Sequence, residues 1–331
     1  MQEARVIYNV DKHAVPFPEG SNELYIQALP GKPAFDFAEY HPEEAERTGS
    51  SEYSYWRSVW RNFVKKKSAV AMLVIFSLLF LFTFIAPIIS KYDVHNLRIV
   101  DDLMFTRPNS TFWFGTDNLG RDYWSQVWYA TRTSIILAVS VSAGQIIMGV
   151  LIGLVWGYVR SLDRFFTELY NFINNIPTII YMTLIALMIG KSTLVMGLSM
   201  ILFGWLGTAR NIRNLVFMYR DREYNLASRC LGTSTWRILT RNIVPYLVSV
   251  IVLRLALAIP GTIAYETTLT YLGLMDISTP SLGILLRNAR SFFLDYPYLL
   301  VFPAAIVSTI TITFYLAGNA FSDACDPRNH L

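Results

Sequence analysis

The chain has 331 residues, of which 53% are Ala, Val, Ile, Leu, Met, Phe, Trp, Tyr or Cys and only 16% are charged. The formal net charge is +4, and the mean hydropathy is +0.36. These values exclude a disordered, collagen-like or disulfide-stapled chain. Charge is also unevenly distributed, because long tracts carry none while others are rich in Arg and Lys. This distribution indicates a membrane protein.

The first part of the chain reads as an extension followed by one short helix. Residues 1–52 show no hydrophobic period and carry several prolines and an acidic patch, which is typical of a poorly ordered or partner-dependent segment. Aromatic residues then recur at spacings of three, four and three residues, beside Arg57, Arg61 and Lys65, and are Tyr53, Trp56, Trp60 and Phe63. This pattern predicts an interfacial amphipathic helix over 53–67. A helix packed against a membrane bundle is the alternative.

Six apolar tracts between residues 68 and 322 predict six transmembrane helices, since a bilayer core about 30 Å thick needs roughly 20 helical residues. The tracts are Ser68–Ser90, Ser134–Val159, Leu169–Gly190, Ser192–Ala209, Asn242–Tyr265 and Tyr296–Ser322. Only the fifth carries a charge, at Arg254. The fold class predicted is therefore an all-α membrane protein, with residues 323–331 as a tail.

Two of the tracts carry small or polar residues in a helical register. Gly149, Gly153 and Gly157 recur every four residues in the second tract, so they share one face and permit close approach of another helix. In the third tract, Asn171, Asn174 and Asn175 line one side of a helix that meets Pro177, which should kink it. The asparagines are candidates for a translocation pathway that hydrogen-bonds a substrate, or for hydrogen bonds that hold two helices together.

Two charged residues lie within the fifth predicted helix and its continuation. A central Arg costs about 2.5 to 3.5 kcal/mol in insertion, so Arg254 should face protein or water rather than lipid. Glu266 lies near the outer end, twelve residues away, and cannot pair with Arg254 directly. Both are candidates for the same pathway, and each needs a partner elsewhere.

Lys and Arg predict the orientation of the chain, because cytoplasmic loops are enriched in them. The densest segment is the loop predicted at 210–241, which carries Arg210, Arg213, Arg220, Arg222, Arg229, Arg237 and Arg241 against Asp221 and Glu223. Both termini are therefore predicted to be cytoplasmic in a multi-pass protein of the cell membrane.

Catalytic and metal-binding patterns are missing from the sequence. Gly190, Lys191 and Ser192 resemble the end of a phosphate-binding loop, but Ile185 stands where that loop needs glycine. The four histidines show no paired metal-ligand spacing, and no serine has a Gly-x-Ser-x-Gly context. We predict no catalytic residue, no bound metal and no nucleic-acid partner.

The loop sequence YNLASRCLGTSTWRILTRNIVP, residues Tyr224–Pro245, resembles the EAA loop of ABC importer permeases. Leu226 and Ser228 stand where that family usually has Glu and Ala, whereas Ala227 and Gly232 are kept. The resemblance implies that the loop docks on an ATPase subunit, and the residues that it assigns to this contact are Tyr224, Ala227, Arg229, Gly232, Trp236 and Pro245.

Further motifs are similar to those of the second permease of oligopeptide and dipeptide importers. They are FGTDNLGRDYWSQVWYATRTS at Phe114–Ser134, ETTLTYLGL at Glu266–Leu274, TPSLG at Thr279–Gly283 and FYLAGNAFSDACDPR at Phe314–Arg328. Tyr271 and Leu282 replace the usual Phe and Trp.

The resemblance implies a type I ABC importer permease fold and a set of partners. These are a homologous permease, two cytoplasmic ATPases, an extracellular peptide-binding protein, the peptide and the lipid bilayer. ATP and Mg would be bound by the ATPases, so this chain binds no cofactor and has no ATPase activity of its own. The alternatives are a nickel-chelate or glutathione importer of the same family, and a receptor or scaffold that transports nothing.

Overall fold

The computed structural model describes residues 55–89 and 103–325, and these residues form helices without a β-strand. The helices in chain order are α1 (Tyr55–Lys65), α2 (Lys67–Ile89), α3 (Tyr123–Tyr158), α4 (Arg160–Asn174), α5 (Thr178–Met188), α6 (Thr193–Arg220), α7 (Glu223–Cys230), α8 (Thr235–Arg237), a π-helix (Ile238–Ile243), α9 (Val244–Tyr271), α10 (Leu282–Ala289) and α11 (Tyr298–Cys325).

Five segments in the described part of the chain are long and apolar enough to cross a membrane, and a bent helix pair makes a sixth if it counts as one span. The long segments are α2, α3, α6, α8 to α9 taken together, and α11. The helical fold class and the approximate number of spans therefore agree with the sequence prediction.

The third predicted span is not the continuous helix that the apolar tract Leu169–Gly190 suggested. Helix α4 ends at Asn174, and α5 begins at Thr178 at an angle of 77° to it. Pro177 lies at the break, where it has no N–H to donate and cannot continue the helix. The predicted kink is present, and it is large enough to divide the span in two.

Helix α4 is held across the ends of α3 and α6 by one carboxylate. Asp163 accepts hydrogen bonds from the indole Nε1 of Trp156 at 3.0 Å and from Arg213, whose Nη2 lies 2.6 Å from Oδ1. Tyr170 lies farther along α4. The guanidinium carbon of Arg210 lies over its ring, 4.5 Å from the ring centroid. These contacts fix the direction of α4.

Helices α3 and α6 approach closely along the glycine face of α3. A side-chain Cβ would lie 2.6 Å from the Cβ of Thr208 at Gly149, 2.6 Å from the carbonyl oxygen of Ala209 at Gly153, and 2.7 Å from that of Arg213 at Gly157. Nothing larger than hydrogen fits at these positions without displacing α6. The three glycines therefore set the distance between the two helices.

Helix α3 begins eleven residues before the predicted second span, at Tyr123. Asp122 caps it, because its carboxylate accepts the backbone N–H of Ser125 at 2.9 Å. Arg132, which precedes the apolar tract Ser134–Val159, lies 5.1 Å from the ring centroid of Phe84 in α2. A cation over an aromatic face is tolerated near a membrane surface.

The loop before α3 is a compact polar turn centred on Asp117. The two carboxylate oxygens of Asp117 accept from the backbone N–H groups of Leu119 and Arg121, from Arg121 Nε at 2.7 Å and from Gln126 Nε2 at 2.8 Å. The buried carboxylate of Asp117 in the motif FGTDNLGRD is thus satisfied by its own loop and by the first turn of α3.

Helix α1 packs against the end of α11, which was the alternative to the interfacial prediction. Val59 and Phe63 are buried, and Phe63 makes an edge contact with Phe321 at 5.4 Å between ring centroids. Trp60 is 57% exposed. Tyr53 lies outside the described residues. One side of α1 therefore packs against the bundle, and only its other side is free to contact a membrane surface.

The glycine contact between α3 and α6 generates the first prediction. Gly153→Leu should destabilise the assembled protein by about 2 kcal/mol, because the added atoms overlap α6 backbone and force the helices apart. Thermal unfolding of the detergent-solubilised complex measures this, with Gly207→Leu as control, because a Cβ at Gly207 meets nothing within 4 Å. Equal unfolding temperatures for the two variants would contradict the assignment.

Candidate functional site

The best-defined candidate site is the loop between α6 and α9, residues 221–243, called the 221–243 loop below. It is shorter than the predicted 210–241, because α6 continues to Arg220. Arg210 and Arg213 consequently belong to α6 and not to the loop. The loop consists of α7, a turn, the single helical turn α8 and the π-helix that leads into α9.

Gly232 makes the turn after α7 by closing it with two hydrogen bonds. Its N–H donates to the carbonyl oxygen of Arg229 at 2.9 Å, and the N–H of Thr233 donates to that of Ser228 at 3.0 Å. This is the Schellman arrangement, and it places Gly232 at φ 77°, a left-handed conformation that glycine adopts without strain.

Asparagine amides anchor the inner side of the loop. Asn225 is 0% exposed, donates to the carbonyl oxygen of Tyr219 at 2.8 Å and accepts from Asn242 Nδ2 at 3.0 Å. Asn242 thereby ties the π-helix to α7. The loop is thus joined to α6 through Asn225, and its π-helix is joined to α7, by polar bonds that position it as a unit.

A second anchor joins the loop to the glycine face of α3. Arg220 is buried, and its Nη1 donates to the carbonyl oxygen of Gly157 at 2.9 Å. Arg229 donates through Nη2 to the carbonyl oxygen of Arg220 at 2.8 Å and through Nε to the hydroxyl of Tyr158 at 3.1 Å. Arg229, predicted as a docking residue, thus has its guanidinium turned toward the bundle.

Asp221 balances the arginines at this anchor. Its carboxylate lies 3.2 Å from Arg220 Nε, 3.4 Å from Arg160 Nη2 and 3.8 Å from Arg229 Nη1. Desolvation acts to raise the pKa of Asp221, but the hydrogen bond from Arg220 and the charges of the three arginines outweigh it and hold the pKa below its ordinary value. Asp221 therefore stays ionised at neutral pH.

The outer side of the loop is apolar and exposed. Leu231 is 85% exposed and Trp236 is 59% exposed, and Tyr224 and Ala227 are exposed beside them. Large side chains with this exposure, next to a rigidly held turn, are typical of a surface that contacts another protein. Pro245 is exposed in the first turn of α9 and lies beyond the loop.

Sequence reasoning missed the residues that hold the loop in place, namely Asn225, Asn242, Asp221 and Arg220 as a buried anchor. The signal was present in part, since two asparagines and a lone Asp stand in an otherwise basic segment. Their pairing spans up to 63 residues between Arg220 and Gly157 and cannot be read from local spacing.

The three asparagines predicted to line a pathway lie at the break between α4 and α5. Asn171 and Asn174 belong to α4, and Asn175 caps its end. All three are exposed, and their side chains form no hydrogen bond with another described residue. Among the described helices they therefore form no hydrogen bond that would hold two of them together.

Arg254 and Glu266 have opposite environments on α9. Arg254 is exposed and forms no ion pair within residues 55–89 and 103–325. Glu266 is 1% exposed, and neither carboxyl oxygen is hydrogen-bonded within the described part of the chain. Its side chain is enclosed among the described helices of this chain, and its assignment to a pathway stays a prediction.

Among the described residues, no group of three or more His, Cys, Asp or Glu side chains could hold a metal ion. Gly190, between α5 and α6, has φ 132°, and the neighbouring Lys191 donates through Nζ to the carbonyl oxygen of Gly273 at 2.8 Å. The segment that resembled a phosphate-binding loop is thus a turn tied to the residues after α9.

Comparison with known proteins identifies two family models along the chain. Residues 145–330 match the model described as binding-protein-dependent transport system inner membrane component, and residues 54–107 match the N-terminal TM domain of oligopeptide transport permease C.

Curated relatives cover most of the chain. The oligopeptide transport system permease protein AmiD of Streptococcus pneumoniae is 37% identical over 302 residues, which is 90% of this chain and 98% of the relative. The dipeptide transport system permease protein DppC of Bacillus subtilis is 30% identical, covering 86% and 89%. The glutathione transport system permease protein GsiD of Pectobacterium atrosepticum is 30% identical, covering 82% and 91%. The chain belongs to the family of binding-protein-dependent transport system inner membrane components, and within it to the ABC permease subunits.

Proposed function

We propose that the chain is one permease subunit of an ATP-driven importer of oligopeptides, which pairs with a homologous permease. Two cytoplasmic ATPases bind ATP and Mg and drive the pair, and an extracellular binding protein delivers the peptide. The proposal is supported by the peptide-transport permeases to which the chain is similar, and by the 221–243 loop. Alternating access follows when closure of the ATPases moves the two permeases relative to each other.

The observation that carries the proposal is the two-sided construction of the 221–243 loop. Its inner side is fixed by Asn225 and Arg229, whereas its outer side presents Leu231 and Trp236 to a partner. A loop built in this way transmits a displacement of its outer surface to α6 and α9, because its anchored inner side resists local deformation. We expect the groove of an ATPase subunit to receive it.

Orientation follows from the same end of the molecule. Arg222, Arg237 and Arg241 are exposed on the 221–243 loop, and cytoplasmic loops carry an excess of such cations. With six membrane crossings, both termini of the chain lie on the cytoplasmic side. The membrane is the plasma membrane of the cell.

The overall test is peptide uptake by the complete complex in proteoliposomes. Labelled oligopeptide should accumulate only with ATP, Mg and the binding protein, and excess unlabelled peptide should compete better than glutathione. Nucleotide-dependent assembly without flux would indicate a receptor or scaffold instead.

The loop generates a prediction on coupling. Gly232→Val forces a β-branched residue into a left-handed conformation, at a cost of about 1 to 3 kcal/mol, and Ala227→Asp places a charge on the docking surface. Both variants should insert normally and lose most uptake, whereas ATP hydrolysis should no longer respond to peptide-loaded binding protein. Uptake per ATP hydrolysed measures this.

The matched control for backbone strain is Gly273→Val. Gly273 has φ 72°, a Cβ there also meets nothing within 4 Å, and it follows α9 at the end farthest from the loop. It should retain coupling. Normal uptake in both loop variants would remove the assignment of the docking surface.

The asparagines generate a prediction on water access. Since the side chains of Asn171, Asn174 and Asn175 are exposed and form no hydrogen bond with another residue that the structure describes, we propose that they face the translocation pathway. Cysteines at these positions should react with aqueous thiol reagents at rates that differ between nucleotide-bound and nucleotide-free states. A cysteine at Phe172, exposed on the apolar side of α4, serves as control. Protection of all three positions in every state would favour a contact with the partner permease.

Arg254 generates a prediction on the substrate carboxylate. Its exposed guanidinium has no counter-ion within the described residues, so we propose that it meets the free C-terminus of a peptide. Arg254→Gln should leave the complex assembled but reduce transport of free-acid peptides more than that of amidated peptides. Arg254→Lys should retain part of this preference. Equal transport of both peptide types by a well-assembled Gln variant would eliminate this role.

A further inference from the structure

A cavity of about 400 Å³ lies between α3, α5, α6 and α9. This size is within the range of sites for small organic ligands. None of its lining residues is charged, and the polar ones are Gln145, Thr178, Tyr181, Thr262 and Tyr265. Thr178, the first residue of α5, is one of the lining residues, so the cavity borders the break in the third span. Bulky apolar side chains, among them Met200 and Phe203, complete the wall.

Two side chains on the cavity wall have unused hydrogen-bonding capacity. The hydroxyl of Tyr265 is buried and forms no hydrogen bond with a described residue. Gln145 donates through Nε2 to the carbonyl oxygen of Met200 at 2.8 Å, and none of the described residues donates to its Oε1. Leaving a buried polar group unpaired costs about 1 to 3 kcal/mol, so a ligand that pairs with the Tyr265 hydroxyl gains that energy.

The two groups match the chemistry of a peptide amide. Tyr265 can donate its O–H to a carbonyl oxygen, and Gln145 Oε1 can accept an N–H. The hydroxyl of Thr262 is already engaged, since its Oγ1 lies 3.0 Å from Ser142 Oγ, and the ring of Tyr181 stacks on Phe203 at 4.0 Å between centroids. A cavity wall that carries neutral groups alone suits a peptide backbone, because the side chains of the peptide vary from one substrate to the next.

Arg254 lies on the same face of α9 as the cavity residues. Positions 254, 258, 261 and 265 are four, three and four residues apart, so they follow one side of the helix. Arg254 to Tyr265 spans about 16 Å at 1.5 Å per residue. An extended peptide covers this distance in about five residues at 3.3 to 3.6 Å each.

We propose that this cavity is a peptide-backbone site, occupied by an extended peptide that directs its carboxylate toward Arg254. The inference rests on the proposed function and adds to it the position, direction and length of the substrate. Peptides of about five residues reach from Arg254 to Tyr265, whereas a tripeptide held at Arg254 covers only about 10 Å and ends near Gly261. The cavity also selects against a charged side chain in the middle of the peptide, because no counter-ion is present there.

The kinetic test compares a tripeptide and a pentapeptide, both with uncharged side chains, in proteoliposomes containing the complete complex. Tyr265→Phe removes the hydroxyl and keeps the ring. One lost hydrogen bond should raise KM for the pentapeptide about three- to tenfold and leave KM for the tripeptide unchanged. An unchanged KM for the pentapeptide, or an equal rise for both peptides, would overturn the proposal.

A direct binding test uses Gly261→Cys, since a Cβ at Gly261 meets nothing within 4 Å and the residue lines the cavity. The exposed Cys230 is first replaced by Ser. Saturating pentapeptide should slow aqueous labelling of the new thiol, and Gly207→Cys, away from the cavity on α6, should be unaffected by peptide. Absence of protection at position 261 while peptide uptake persists would overturn the cavity assignment alone. Absence of peptide uptake in the unmodified complex would instead overturn the proposed function.

Discussion

The close approach of α3 and α6 is the constraint on which the rest of the structure depends. Gly149, Gly153 and Gly157 allow it, because a Cβ on any of them would overlap α6. The two ends of this contact matter for function in different ways. At one end the carbonyl oxygen of Gly157 receives Arg220. At the other, Gln145 packs against Gly204 and contributes to the cavity wall.

Because Arg220 is the last residue of α6, the same contact determines where the 221–243 loop starts. Arg229 then closes back onto Tyr158 and Arg220, and Asp221 neutralises part of the positive charge that collects there. Arg220 is buried, whereas Asp221 and Arg229 are partly exposed, and a guanidinium buried beside other cations would be unstable without carbonyl and hydroxyl acceptors for the arginine donors. Those acceptors lie at the C-terminal end of the glycine face of α3. The position of the loop therefore depends on the packing of α3 against α6.

Local patterns in the sequence predicted the elements whose cause is local. Pro177 breaks the third span and Gly232 turns the loop, because each conformation depends on the chemistry of that single residue. The length of α3 was underestimated, since Arg132 is accommodated by Phe84, which lies 48 residues earlier. Burial of Glu266 and the Asn225–Asn242 bond were not predicted for the same reason. They arise from helices brought together in space, and spacing along the chain carries no information on that.

Helix α9 connects the two candidate sites through a continuous backbone. The π-helix at Ile238–Ile243 joins it to the 221–243 loop, and π-helical turns hold backbone hydrogen bonds that are less regular than those of an α-helix. Asn242 fixes this turn to α7, so a displacement of the loop acts on α9 instead of being absorbed at the joint. Arg254 is about 15 Å beyond Val244 along the axis, and Gly261 and Tyr265 follow on the same face. In the proposed peptide site, a rotation of α9 that carries Arg254 away from the peptide carboxylate would therefore also withdraw Tyr265 from the peptide backbone. A transport site must bind its substrate weakly enough to release it. One movement of α9 that frees both ends of the peptide meets this requirement.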